Sequence, residues 1–435
     1  MKVQQIAIQQ RKIIRNAHIE LRTDRQHPAL DHVYGKLSIT MVAGRNGSGK
    51  SSLLSFIPQI FHNLERSPED IKGEFSFRYV ISQPQGVELR CELYQTFDGT
   101  VRLAVGGVFD KKVVRDKLGR RAKDDDAIAY ADIKEFLPSN VIVSGFSMSG
   151  EYPAERLANF KGDRRLSVFD MSQLYGRNHY GFPPFSPGIA RLLTLWLDHA
   201  PAVRMLEVIL GASITGMVVA RDRNVRSEDE EWVEFSPTLI EREARGDIWL
   251  NDLELRCRDG RMITLSMMSS GQKFLLARIL SILGAIREHS IIILEEPEMH
   301  LDPSWARQVI SLLVSFFKDY AAHLFIATHS FSLLNSVPAP WILLANAGRF
   351  TSLSDDARTL LANESALAYQ LYEPWPHLVE LEIRQCLENA SVKELRELLS
   401  MLGESALRYD VFLKLREQNV DFEEEGGNEE GGENA

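Results

Sequence analysis

The sequence predicts an α/β protein with a mostly parallel β/α core, an antiparallel β subdomain, a compact helical lobe and a helical C-terminal region. Three observations predict it. The Gly-rich stretch Gly44-Arg45-Asn46-Gly47-Ser48-Gly49-Lys50-Ser51 stands between an apolar run and an apolar-faced helical pattern. Residues 265–345 alternate helix, strand, helix, strand, helix, strand, the rhythm of parallel β/α units. Residues 73–115 read as a meander of short strands.

In chain order, residues 3–21 alternate weakly and predict one or two strands, and Leu37 to Ala43 is a short apolar strand. From Ser51 to Leu64, the residues Leu53, Leu54, Ile57, Ile60, Phe61 and Leu64 fall on one side of a helix. The meander comprises Glu74–Ile81, Val87–Thr96, Val101–Val105 and Phe109–Val114, with Asp98-Gly99 as a hairpin turn. Residues 111–126 form a charge block, Lys111, Lys112, Arg115, Lys117, Arg120, Arg121 and Lys123 followed by Asp124-Asp125-Asp126, which suits either a solvated hairpin tip or a phosphate-backbone contact. Val141-Ile142-Val143 predicts a buried strand, and residues 150–188, rich in Gly, Pro, Arg and aromatics, a boundary region. Residues 189–222 read as helices, residues 225–264 as strands with a turn at Asp259-Gly260, and residues 355–418 as helices, amphipathic over Val392 to Leu402. The expected divisions are 1–150, 151–235 (the helical lobe), 236–350, 351–420 and a disordered acidic tail, 421–435.

The chain has 435 residues, 44% apolar and 25% charged, enough for a sizeable core in two to four packing units. Its 50 basic and 60 acidic side chains give −10, and seven of the acids lie in the tail, so the body is near −3 and bulk charge does not announce nucleic acid. Cys91, Cys257 and Cys386 are odd in number and far apart, which excludes a disulfide framework and fits a reducing cytoplasm. The first residues, Met1-Lys2-Val3-Gln4-Gln5, lack the apolar core of a signal peptide. Met205 to Ala220 is too short for a membrane span and carries Glu207; it reads as a buried helix.

Gly44 to Ser51 matches GxxxxGK[ST] in full. The glycines let the backbone curl so that N–H groups face phosphate oxygens, and the following helix adds its N-terminal partial charge. Lys50 then reaches the β- and γ-phosphates and the Ser51 hydroxyl ligates Mg²⁺. Ile291-Ile292-Ile293-Leu294 followed by Glu295-Glu296-Pro297-Glu298 is a buried parallel strand with carboxylates at its C-terminal edge, where open α/β sheets bind ligands. Glu295 is assigned to the metal and Glu296 to the attacking water. Met268-Ser269-Ser270-Gly271-Gln272 precedes an apolar helix, Phe274 to Ile286, and serves either as an anion-binding end or as an ordinary N-cap. The strand His323 to Ala327 ends at Thr328-His329-Ser330, where His329 can sense a γ-phosphate or play a structural part.

These elements occur in the order phosphate loop, Ser-Ser-Gly-Gln, Glu-Glu, His, with about 24 residues from Gln272 to Glu296 and about 33 from Glu296 to His329. That order resembles the ABC-type ATPases. The stretches Asn46 to Ser51 and Glu296-Pro297-Glu298-Met299-His300-Leu301-Asp302-Pro303 make it similar to the branch of SMC, RecF and OLD-related heads. The resemblance covers residues 3–65 and 250–345, and the middle loosely. It implies ATP and Mg²⁺ as ligands, with Gly44, Asn46, Gly47, Ser48, Gly49, Lys50, Ser51 and Ser52 holding the phosphates. It implies Lys50, Glu296 and His329 as catalytic residues, Ser51 and Glu295 as metal ligands, and Asp302 as the D-loop. In such proteins two heads sandwich ATP, and Ser269, Ser270, Gly271 and Gln272 would meet the nucleotide of a second copy. Three features depart from the family: Glu295 stands where Asp is usual, Ser270 replaces a glycine, and no glutamine follows Val143. Ser144-Gly145-Phe146-Ser147-Met148-Ser149 occupies that place, and Gln83 and Gln85 are poor substitutes.

From Lys50 to Ser269 there are 219 positions without sustained heptads, and Asp355-Asp356 is not a Toprim pattern, so neither a long coiled coil nor a fused nuclease is expected. A stand-alone head of this kind resembles the ATPase components of bacterial anti-phage defence systems such as Septu, PARIS and some retrons. The resemblance implies a homo-oligomer that controls a separately encoded effector, a nuclease, through a surface in 355–418. A RecF-like DNA-binding repair ATPase is the alternative, motivated by the charge block with Arg164, Arg165, Arg221, Arg223 and Arg226. A slowly hydrolysing, ATP-locked scaffold is the third. No membrane-coupling feature is evident.

Overall fold

The computed structural model describes residues 1–22, 27–71, 73–83, 86–114, 126–145, 152–153, 166–171, 185–220, 230–234, 236–354, 356–371, 378–387, 390–403 and 405–417. Residues 115–125 of the charge block, Gln85, Phe146 to Ser149, Arg164, Arg165, Arg221, Arg223, Arg226, Asp355 and the acidic tail lie outside them. Two compact units are present, residues 1–367 and 368–435.

In the first unit an antiparallel meander is built from β1 (Lys2–Arg11), β2 (Ile14–Glu20), β4 (Phe75–Ser82), β5 (Glu88–Gln95), β6 (Val101–Val105), β7 (Phe109–Val114) and β8 (Ala127–Ala129), in the order β2-β1-β4-β5-β6-β7-β8. Only the last pair is parallel. Gly99, with φ +82°, closes the β5–β6 turn, where Asp98 accepts from Thr96 and Thr100. A second sheet has the order β10-β9-β15-β16-β3-β17-β18 and contains β3 (Ser38–Ala43), β9 (Val141–Gly145), β10 (Leu166–Asp170), β15 (Ile291–Glu295), β16 (His323–Thr328), β17 (Ile342–Asn346) and β18 (Arg349–Ser352). All its pairs are parallel except β17–β18.

The apolar helix face predicted after the phosphate loop divides into α2 (Lys50–Leu54) and α3 (Phe56–Arg66). It packs between these two sheets: Leu54, Ile57, Ile60 and Phe61 share one core with Phe75 and Phe77 from the meander and with Ile291, Ile293 and Phe325 from the parallel sheet. Both faces of β15 are buried, since Ile292 and Leu294 are as inaccessible as Ile291 and Ile293. That is why the strand reads as a continuous apolar run rather than an alternation. Helix α1 (Pro28–Tyr34) precedes β3, and α8 (Pro303–Ala306), α9 (Val309–Phe317) and α10 (Phe331–Leu334) connect the later strands.

The lobe between the two halves differs from the predicted one. Helix α4 (Ser186–Leu197) and α5 (Pro201–Leu210) form as helices, but α5 stops at Gly211, which takes φ +65°. Residues Ala212–Ala220, expected as the rest of a buried helix, are instead β11. This strand pairs with β12 (Glu230–Glu234) and β13 (Trp249–Cys257), and β14 (Met262–Thr264) completes a four-stranded antiparallel sheet. Helix α6 (Pro237–Ala244), also unpredicted, interrupts the strands. Helix α4 crosses α7 (Ser270–Ala285) at a glycine pair: a Cβ on Gly188 would lie 2.0 Å from Leu280 O, and one on Gly284 3.2 Å from Gly188 N. Arg191 then donates to Leu283 O (2.7 Å) and Ile286 O (2.6 Å) at the C-terminus of α7.

Helix α11 (Glu364–Leu371) begins within the first unit, whose last residue is Leu367. In the second, α12 (Leu378–Leu387), α13 (Val392–Met401) and α14 (Ala406–Glu417) enclose Leu387, Leu395, Leu407, Val411 and Leu415. The predicted amphipathic helix is α13, capped by reciprocal bonds between Ser391 and Glu394. Among the described residues no helix is long and apolar enough to cross a membrane. The three cysteines are free.

His323, at the start of β16, is fully buried and ties the meander to the parallel sheet. Its Nδ1 accepts from Val3 N (2.9 Å), which leaves the proton on Nε2, 2.9 Å from Thr40 Oγ1. Burial pushes its pKa from 6.5 down to about 3, with the N-terminal charge acting the same way. The unfolded chain takes up this proton below pH 6.5 and the native one does not. Stability is therefore complete above about pH 6.5 and falls as pH drops, by up to about 1.4 kcal/mol per unit. His62, pushed down to about 4 by burial, acts in the same direction. His323→Asn keeps an acceptor for Val3 and should flatten the loss of urea midpoint between pH 6.5 and 5; an unchanged acid limb would assign that loss elsewhere.

Candidate functional site

Strand β3, buried at every position, delivers the chain into the phosphate loop. The loop curls at Gly47 (φ +77°) and Gly49 (φ +108°), conformations that favour glycine, and α2 begins at Lys50. Two turns press on it. The β17–β18 turn donates Gly348 N to Ser48 O (2.9 Å), and a Cβ on Gly44 would stand 2.4 Å from Ala345 O. From the β1–β2 turn, Ile13 packs on Gly49, and its carbonyl would lie 2.3 Å from a Cβ on Gly348. Arg11, also near that turn, donates to Ser52 O (3.2 Å) and Ser55 Oγ (3.3 Å).

Lys50 is 7% exposed, and its Nζ donates to Gly44 O (2.7 Å) and Arg45 O (3.1 Å). Burial lowers its pKa, and Glu296, Glu295 and Glu298 oppose that shift. The lysine and three carboxylates at and just after the end of β15 thus share one electrostatic site. Glu295 ends the strand, and its Oε1 accepts from the Tyr152 hydroxyl at 2.8 Å. Glu296 has φ +43°, a strained value for a non-glycine residue, and its N–H is held by Ala327 O (2.8 Å). That turn of the backbone brings Glu296 Oε1 to 3.2 Å from His329 Nδ1, at the end of the neighbouring strand. Glu298 is half-buried and accepts from Thr328 Oγ1, whose oxygen in turn accepts from Ser330 N (2.9 Å). Desolvation raises the Glu298 pKa against that hydrogen bond.

Ser269 is the N-cap of α7 in a full capping box with Gln272: Gln272 N donates to Ser269 Oγ (3.4 Å), and Ser269 N donates to Gln272 Oε1 (3.0 Å). Gln272 Nε2 reaches Leu210 O (3.0 Å) at the end of α5. Ser269 and Ser270 are exposed, and the Ser269 bonds stay within its own turn rather than reaching the phosphate loop. Gly271 is buried because a Cβ there would stand 2.7 Å from His300 O. Asp302 caps α8 through Ser304 N (2.8 Å) and Ser304 Oγ (2.5 Å), bonds that lower its pKa.

The structure therefore brings Lys50, Glu295, Glu296 and His329 together, and places Ser269, Ser270, Gly271, Gln272 and Asp302 on a separate surface turn and the adjoining loop. Residues the sequence did not single out are Tyr152, Glu298, Thr328 and Arg278. Arg278, on α7, is 1% exposed and donates to Pro297 O (2.6 Å) and Ser144 Oγ (3.4 Å). Glu298 stood inside a recognised stretch, so its place was available; Tyr152 and Arg278 carried no spacing signal. Among the described residues, the hydroxyl of Tyr152 is a partner of Glu295.

A nucleotide and its cation fit these residues. Ser48 Oγ and Glu298 Oε2 are buried without a hydrogen-bond partner. Among the described residues no group of three or more His, Cys, Asp or Glu could hold a metal unaided. Mg²⁺ commonly takes one or two carboxylates, waters and the oxygens of a bound phosphate, which Glu295 and Ser51 could complete.

A phosphate loop on a central parallel strand, paired carboxylates at the adjacent edge and an antiparallel sheet across α3 stand together in this fold, the arrangement that the resemblance to ABC-type ATPase heads implies. Residues 253–335 match the family model described as "AAA domain, putative AbiEii toxin, Type IV TA system". Among solved structures the chain is similar to the SMC head domain from Thermotoga maritima, at 12% identity and TM-score 0.41, over 81% of this chain and 100% of that one. It is also similar to an SmcHead bound to the C-winged helix domain of ScpA (13%, TM-score 0.45, 82% and 98%). A third is the recombination mediator protein RecF-ATP of the RecFOR pathway (12%, TM-score 0.34, 81% and 98%). No curated protein sequence matches.

The contact of Gly348 with the phosphate loop is testable. In Gly348→Ala the new Cβ would meet Ile13 O at 2.3 Å with φ at +79°, so the turn must move off Ser48. A stability loss of about 1–3 kcal/mol and faster exchange of the amide at position 348 are expected, checked by urea unfolding and hydrogen exchange; unchanged exchange would reject the clamp.

Proposed function

We propose that this chain binds ATP and hydrolyses it to ADP and phosphate, with two copies closing over the nucleotide. The observation that carries the reading is the Glu296–His329 pair, 3.2 Å apart, beside the buried Lys50. In this reading the phosphate loop N–H groups and Lys50 hold the triphosphate, and Ser51 and Glu295 hold Mg²⁺. The cation, when bound, neutralises charge on the phosphate oxygens. Glu296 accepts the proton of the attacking water, and His329 orients that carboxylate and faces the transferred group. Burial of β15 keeps Glu296 at a fixed depth, and its left-handed backbone aims it out of the strand line.

The exposed Ser269 and Ser270 at the N-terminus of the 16-residue α7 support a second half-site offered to the nucleotide of another copy. The reading extends to a separately encoded effector, a nuclease, held or released according to nucleotide state, in the setting of bacterial anti-phage defence. The matched family's description as a toxin–antitoxin component supports a two-component setting of that kind. The region 355–418 is the proposed docking region, and the cytoplasm the proposed location.

Glu296→Gln tests the central claim. ATP affinity should stay within about twofold, phosphate release should fall at least about 100-fold, and ATP-bound pairs should accumulate on a sizing column. Phosphate release at the native rate in this variant would remove Glu296 from the mechanism.

A DNA-binding function is the second reading, favoured by Lys111 and the exposed Lys112 at the edge of the meander. It is tempered by Asp110 and Asp126, which flank them and are clamped by Arg102 at 2.9 and 2.7 Å. It predicts salt-sensitive duplex binding that weakens in the Lys111→Gln, Lys112→Gln double variant, read by fluorescence anisotropy; affinity indifferent to both would place any DNA contact elsewhere.

A further inference from the structure

The ring of Tyr152 is set in the main core, 6% exposed, and its hydroxyl donates to Glu295 Oε1 at 2.8 Å. Tyr152 follows β9, the neighbour of β15 in the parallel sheet, so the acceptor ends one strand and the donor comes after the adjacent one. We propose that Tyr152 is a positioning residue: by fixing the Glu295 carboxylate it sets the site's affinity for the divalent cation that accompanies the nucleotide. The inference rests on the ATP-hydrolysing reading above.

Glu295 has one more methylene than an aspartate, so its carboxylate sweeps a wider arc from the strand end. Holding such a side chain in one rotamer costs conformational entropy. A hydrogen bond to the ionised carboxylate offsets that cost and is stronger than one between neutral groups. The donor cannot follow a wandering acceptor, because the phenol ring is rigid and packed among core side chains. Its neutrality matters as well: a guanidinium or ammonium here would cancel the charge that a cation needs, whereas a phenol orients the carboxylate and leaves it negative. Partners of metal-binding side chains typically contribute 10–100-fold to metal affinity or activity.

Tyr152→Phe in the full chain deletes only the hydroxyl. Mn²⁺ binding to the ADP complex, followed by electron paramagnetic resonance, should weaken about tenfold. The Mg²⁺ concentration for half-maximal turnover should rise by a similar factor. ADP affinity in EDTA and the thermal midpoint should remain near the native values. Glu295→Asp draws the carboxylate back from the hydroxyl, so adding Tyr152→Phe to that variant should cost nothing further. Unchanged Mn²⁺ affinity in Tyr152→Phe, or equal losses in both backgrounds, would overturn the proposal. So would a matching loss of ADP affinity in EDTA, which would make the hydroxyl a structural group. A native protein that binds no nucleotide would overturn both readings; one that hydrolyses ATP with Tyr152→Phe indistinguishable from native would overturn this one alone.

Discussion

The burial of one ammonium group governs this structure. Lys50 is withdrawn from water at the start of α2, and a cation there is expensive unless negative charge stands nearby. The loop carbonyls of Gly44 and Arg45 supply part of the compensation, and Glu296, Glu295 and Glu298 supply the rest through space. For those carboxylates to arrive, β15 must run parallel to β16 and β3 and be buried on both faces. The four apolar residues Ile291 to Leu294 meet that requirement. Glycine at 44 is demanded by the closeness of Ala345, so the loop, the strand beside it and the turn beyond are fitted to one another at backbone level.

A second buried charge links this edge to the surface turn that opens α7. Arg278 is desolvated enough that its pKa falls to about 10, still well above neutrality. It donates one hydrogen bond to Pro297 O, directly after Glu295 and Glu296, and a weaker one to Ser144 at the end of β9. Phe274 stacks near His300 with ring centres 5.2 Å apart, and Gly271 admits the His300 carbonyl. Helix α7 is therefore fastened to the Glu295–Asp302 segment at three successive turns, and α4 fixes its far end.

Much of this was legible in the sequence because it is local. The phosphate loop is a contiguous pattern, the buried strand is a contiguous apolar run, and the capping box at Ser269 lies within four residues. The meander was legible because one face is solvated and the other packs on α3. Residues 205–220 misled for a physical reason: an unbroken apolar stretch fits a buried helix and a buried strand alike. Only Gly211 marked the change from α5 to β11. Helix α6 hid in a charged segment because eight residues with a single buried side chain, Leu239, leave little periodicity. Tyr152 and Arg278 were not legible at all. Each acts through a partner more than a hundred positions away, Glu295 for one and Ser144 for the other, and such pairings exist only once the sheet has formed.

The van der Waals contact between Gly271 and the His300 carbonyl leaves no slack between two loops that face outward. Displacement of either is therefore a displacement of both. In the proposed function, a neighbouring molecule that draws on the serines at the tip of α7 would pull on the loop after Glu296, and a nucleotide in the phosphate loop would press back on the tip. Thermodynamic reciprocity then makes the two influences equal in size, so occupancy of one molecule and association with the next would rise and fall together.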